Sequence, residues 1–111
     1  MKIIERLNLE LSNKEYFTAE QYTVFLTENE LNANDEYIKA THQSKLLYTV
    51  IDILEAVSND IEVLRKVETE FLTTESAYKH LQDRIGKIKQ RIYDITADDN
   101  DSNISLLFSR A

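Results

Sequence analysis

One glycine and no proline in 111 residues is the feature that most narrows what this chain can become. Sheets and barrels turn on residues that accept positive φ or fix a tight corner, and those are nearly missing here. The expected fold is therefore all-α: a small bundle of four to five helices with a flexible C-terminal tail. The length suits one domain, and 42% hydrophobic residues are enough for a modest core. With no cysteine there is no disulfide framework, no thiolate nucleophile and no zinc–thiolate site, which suits a reducing compartment.

The chain is organised around residues 46–57. Apolar side chains fall at Leu46, Val50, Ile53 and Val57, and again at Leu47, Ile51 and Leu54, as two adjacent stripes at helical spacing. So wide an apolar face requires more than one neighbour. Upstream, residues 2–11 read as a short helix through Ile3, Ile4, Leu7 and Leu11, leaving at Ser12-Asn13-Lys14. Thr18-Ala19-Glu20-Gln21 has the form of a capping box. It opens a helix with Tyr22, Phe25 and Leu26 on its inner stripe and Phe17 against its start, and this helix should stop near Glu28-Asn29-Glu30. Asn32-Ala33-Asn34-Asp35 reads as a loop, with Asn34 or Asp35 expected to cap a long helix from about Glu36 through Val57.

Ser58-Asn59-Asp60 is a second capping cluster, before a short helix expected to turn Ile61, Leu64 and Val67 inward. Residues 68–73 read as an irregular connector anchored by Phe71 and Leu72. Thr73 or Thr74 then opens a last helix over about residues 75–95. Its apolar positions Tyr78, Leu81, Ile85, Ile88, Ile92 and Ile95 are spaced 3, 4, 3, 4, 3, a heptad-type stripe suited to packing within the bundle. Gly86 in its middle either permits a close helix crossing or marks a break. Residues 1–95 thus form the bundle domain. Residues 96–111 form an acidic linker, holding Asp98, Asp99 and Asp101, and an apolar C-terminal segment that folds back or docks on another chain.

Reactive constellations do not emerge. Asp99, Asp101 and Asn103 alternate like the first ligands of an EF-hand, but Ile104 stands at the sixth position and Arg110 at the twelfth, which rules against calcium. His42 and His80 lack a second His or Cys at ligand spacing. Ser44 and Ser76 lack nucleophile-elbow glycines, and one glycine permits neither a P-loop nor a dinucleotide loop. No catalytic residue, cofactor or metal is expected, and the chain is read as non-enzymatic. No run approaches the ~18 apolar residues of a membrane span. Lys2, Glu5 and Arg6 put charge too early for a signal peptide, so a soluble intracellular protein is expected.

Thirteen basic against twenty acidic side chains leave a formal charge of −7, which disfavours nucleic-acid binding as the primary role. Within that acidic chain Lys79, Arg84, Lys87, Lys89 and Arg91 make the last helix locally basic. They form either a solvated face or a surface complementary to a neighbouring copy, whose residues 1–57 carry five basic and ten acidic side chains. The candidate partner-binding residues are Lys87 and Arg91 together with Ile104, Leu106, Leu107, Phe108 and Arg110 of the tail.

The run Phe25-Leu26-Thr27-Glu28-Asn29-Glu30-Leu31-Asn32-Ala33-Asn34-Asp35-Glu36-Tyr37, continuing to the apolar helix over residues 46–57, resembles the N-terminal half of head–tail connector (adaptor) proteins of tailed phages and prophages. That family's pattern is a short helix ending in Glu-Asn-Gly-Leu, an Asn/Asp turn, a Tyr and a long apolar helix. Here Glu30 stands where the glycine would often sit. The resemblance covers roughly residues 1–60, and the second half matches in architecture alone. It implies a non-enzymatic structural protein whose copies assemble as a ring on the portal, with portal and tail proteins as partners and DNA only as passing cargo in the channel. It also implies a place in the cytoplasm of a host bacterium or in the virion, without membrane contact. The family has no catalytic residues to carry over. The alternative is a regulatory protein–protein interaction module, antitoxin- or anti-repressor-like, dimerising through its last long helix.

Overall fold

A computed structural model describes residues 1–68 and 73–101. Among them are five helices: α1 (Ile3–Glu10), α2 (Ala19–Glu28), α3 (Lys39–Asn59), α4 (Ile61–Glu68) and α5 (Thr74–Asp101). The all-α expectation holds.

Helix α3 is the centre. Leu46, Leu47, Val50, Ile51, Ile53, Leu54 and Val57 are all buried, and α1, α2, α4 and α5 each pack against it. Both stripes are covered, each large aliphatic side chain contributing roughly 1.5–3 kcal/mol of apolar transfer. Two polar side chains are buried on the same helix and stay satisfied locally. The Thr49 hydroxyl donates to the Lys45 carbonyl at 2.8 Å, and the Ser58 hydroxyl to that of Leu54 at 2.9 Å.

Against α3 and α4 lies α5, with Leu81, Ile85, Ile88 and Ile92 buried and Ile95 half-buried. The first turn departs from the expected stripe. Ala77 is fully buried there and Tyr78 is 45% exposed, because the inward line follows a spacing of four back from Leu81. Thr73 caps the helix, its hydroxyl oxygen accepting from the Ser76 N–H at 2.9 Å. Gly86 neither breaks α5 nor admits a neighbour: the helix runs through it, and a Cβ there would meet nothing within 4 Å.

The short helices end as their residues dictate. Thr18 and Gln21 form the reciprocal capping box of α2, at 3.2 and 2.9 Å, and the Phe17 ring lies 5.7 Å from that of Phe25. The Leu31 N–H reaches the Leu26 carbonyl and the Glu30 N–H that of Thr27, a Schellman closure with Glu30 at φ 62°. Helix α1 closes the same way through Ser12 and Asn13, at φ 58° and 57°. The Tyr22 hydroxyl then fastens the α1–α2 loop, donating to the Lys14 carbonyl at 2.9 Å and accepting from the Tyr16 N–H at 3.1 Å.

Three further expectations are corrected. The long helix starts at Lys39, three residues later than expected, because residues 33–37 are used elsewhere. The Ala33 and Asp35 carbonyls accept from the Ile4 and Ile3 N–H groups, and the Tyr37 N–H donates to the Met1 carbonyl, which pins a turn at residues 32–35 and a bridge at Glu36 against the chain start. Asn34 and Asp35 therefore cap nothing. The Ile38 N–H at the true start of α3 is taken by His42 Nδ1 at 2.9 Å. Second, Ile61 is 52% exposed, whereas Val63 and Leu64 are buried. Asp60 accepts from the Glu62 and Val63 N–H groups, which sets the phase of α4. Third, the linker expected from Thr96 is helical as far as Asp101. The Val67 side chain, the connector with Phe71 and Leu72, and residues 102–111 lie outside the described residues.

Two substitutions should stabilise the fold. Gly86→Ala, exposed in mid-helix with open space around it, should add up to about 1 kcal/mol. Glu30→Gly should add about 0.5–1 kcal/mol, since a left-handed non-glycine residue costs more than its exposed contact with Lys45 returns. Denaturant titration reads both, and a loss of stability at either position would contradict the backbone described.

Candidate functional site

The basic cluster of α5 comes to rest on the end of α1. That helix has no basic residue in its last turn, so the negative end of its dipole lacks a local charged partner. Arg84 supplies one by donating from its guanidinium to the Glu10 carbonyl oxygen, and Arg91 pairs with the Glu10 carboxylate. Arg6, one turn back on α1, reaches the second carboxylate oxygen at 3.0 Å. Its guanidinium also lies over the Tyr37 ring, 5.5 Å from the centroid. Glu10 is thus the junction of three arginine contacts that join α1, α5 and the 33–37 stretch.

The carboxylate is 13% exposed. Burial pushes it upward, but the Arg91 and Arg6 guanidiniums outweigh that and hold Glu10 below the usual glutamate range. Lys89, further along the same helix, lies 3.9 Å from Glu55 on α3. Asn29 makes a comparable link at the end of α2, donating to Asp52 at 2.9 Å.

No protein-family model, curated protein or solved structure matches this chain. Its site is therefore read from its own geometry. Of the expected partner-binding residues, Arg91 is engaged within the chain, so its charge is not offered whole to a neighbour. Lys87 is exposed, with no ion pair to another described residue. Ile104, Leu106, Leu107, Phe108 and Arg110 lie outside the described residues. Sequence reasoning missed Glu10 as the receiving group. The available signal was the Arg6–Glu10 spacing of four, which marks a helical pair but not its third partner.

Among the described residues, no group of three or more His, Asp or Glu side chains could hold a metal ion, and no helix is long and apolar enough to cross a membrane. Concavities among the described residues include one of about 460 Å³ beside Lys39, Thr41, Ser44 and Ile95, and two others. A cleft of about 620 Å³ lies between α2 and the 30–35 turn, lined by Ala19, Thr23, Thr27, Leu31 and Asn32 among others. The Thr23 and Thr27 hydroxyls there donate to carbonyls of their own helix. A groove of about 420 Å³ between α3 and α5 is apolar and flanked by Tyr48 and Tyr93.

The Glu10 junction makes a pH prediction. Its carboxylate is held below its unfolded value, so its contribution is fully present above the unfolded value and lost as pH falls through the folded one. Arg91→Met should cost at most about 1 kcal/mol at neutral pH, because that arginine is 44% exposed. The gap between variant and parent should then narrow as pH drops from about 5 toward 3. A gap that stays constant across that range, measured by denaturation at each pH, would disprove the assignment.

Proposed function

We propose that this chain is a non-enzymatic structural adaptor of the phage head–tail connector type, whose copies assemble as a ring on a portal. The single observation that carries the reading is the backbone at Glu30. The family's pattern sets a glycine after Glu-Asn, and this position lies in the left-handed conformation at φ 62° that glycine favours. Around it the order is the one the resemblance describes: α2 ends at Glu28, an Asn-rich turn and Tyr37 follow, and α3 runs on as the long apolar helix. The −7 charge suits a channel wall past which DNA slides.

The regulatory reading needs the α5 stripe as a dimer seam. Leu81, Ile85, Ile88 and Ile92 are buried within the single chain, where α5 packs on α3 and α4. A dimer through that stripe would have to displace those helices. An Ile88→Asp substitution would accordingly unfold the monomer as readily as a dimer.

Concentration dependence separates the two readings. The adaptor alone should sediment as a monomer or weak oligomer, with a melting temperature independent of protein concentration, and form rings when mixed with the portal protein encoded beside it. Portal and capsid genes should lie upstream and tail genes downstream. A tight dimer in isolation, or no binding to that portal, would refute the adaptor.

A further inference from the structure

The groove between α3 and α5 is floored by Ile51 and Ile92, each 5% exposed, and walled by Tyr48 and Tyr93, 51% and 67% exposed. Thr96 closes the end nearer the α5 terminus, and Lys89 stands at the other, turned to Glu55. We propose that residues 104–108 of the same chain occupy this groove, running back along α5 as an extended segment.

Reach and register both support that occupant. Helix α5 ends at Asp101, five residues past Thr96, about 7.5 Å of helix axis. Ser102 and Asn103 are turn-forming residues that suit a reversal there. From Ile104 an extended chain advances about 3.3 Å per residue, roughly twice the helical rise. Leu106 then arrives level with Thr96, and Phe108 level with Ile92 and Tyr93. In an extended segment Ile104, Leu106 and Phe108 share one face, while Ser105 and Leu107 lie on the other. Three apolar side chains in line meet an apolar trough.

A second copy is the weaker occupant. A two-residue connection gives the chain's own tail an effective concentration on the order of millimolar. A second copy would also bring two chains of −7 net charge together. The proposal concerns the free chain and does not rest on the adaptor reading.

The absence of cysteine makes the test direct, because Ser109→Cys creates a single attachment point for a nitroxide spin label. In the isotope-labelled full chain, the label should strongly reduce the amide signals of Tyr48, Ile51, Tyr93 and Thr96, with recovery on chemical reduction. Mixing spin-labelled chain without isotope into isotope-labelled chain without nitroxide should leave those signals intact. Combining Leu106→Ser and Phe108→Ser should abolish the single-chain effect, and the same spectrum shows that the bundle remains folded. Undiminished groove signals in the singly labelled chain would overturn the proposal. So would losses seen equally in the mixture, the mark of a tail or second copy docking between chains, or losses that survive the double substitution. None of these outcomes bears on whether the chain binds a portal.

Discussion

Covering helix α3 is the constraint from which the rest of this structure follows. Its apolar face is too wide for one partner, and the 46–57 segment buries every large aliphatic side chain it carries. Water excluded from two adjacent stripes demands neighbours on several sides, which α1, α2, α4 and α5 provide. The short helices α1, α2 and α4 are each too brief to be stable alone in water and hold their form by packing on α3. Even Thr49 and Ser58 conform, donating to carbonyls of their own helix so that no polar group opposes the burial.

Backbone hydrogen bonding imposes the second layer of order. Helix α1 has unmatched N–H groups at one end and unmatched carbonyls at the other. Distant parts of the chain contribute at both ends: the Ala33 and Asp35 carbonyls serve its start, and Arg84 reaches the Glu10 carbonyl beside the local closure through Ser12 and Asn13. These contacts explain why residues 33–37 stay outside α3, in a turn and a bridge, although Asn34 and Asp35 are good cap residues. Local preference worth about 1 kcal/mol yields to several backbone bonds and the Arg6–Tyr37 contact made together.

The basic side chains of α5 illustrate how a surface reading changes once the fold is known. In sequence they form one cluster. In the structure Arg84 and Arg91 belong to the end of α1, Lys89 to Glu55, and Lys87 alone of the expected pair is exposed without an ion pair to another described residue. The partner-facing surface is accordingly narrower than the charge count suggests, and the apolar groove beside Tyr48 and Tyr93 becomes the more distinctive feature.

The near-absence of glycine and proline, the double stripe of α3, the Thr18–Gln21 box and the Asp60 and Thr73 caps were legible in the amino-acid sequence because each is decided within a few residues by local geometry. The same locality explains the misjudged start of α3, the outward turn of Ile61 and the burial of Ala77 in place of Tyr78. Each depends on which distant segment supplies a carbonyl, or on the phase at which a helix meets its neighbour. Glu10 lay beyond sequence reasoning for the same reason, since its partners Arg84 and Arg91 stand on another helix. Helical content was therefore set by the chain's own periodicity and caps. The identity of the groups that meet was decided only when burying α3 drew the other helices around it.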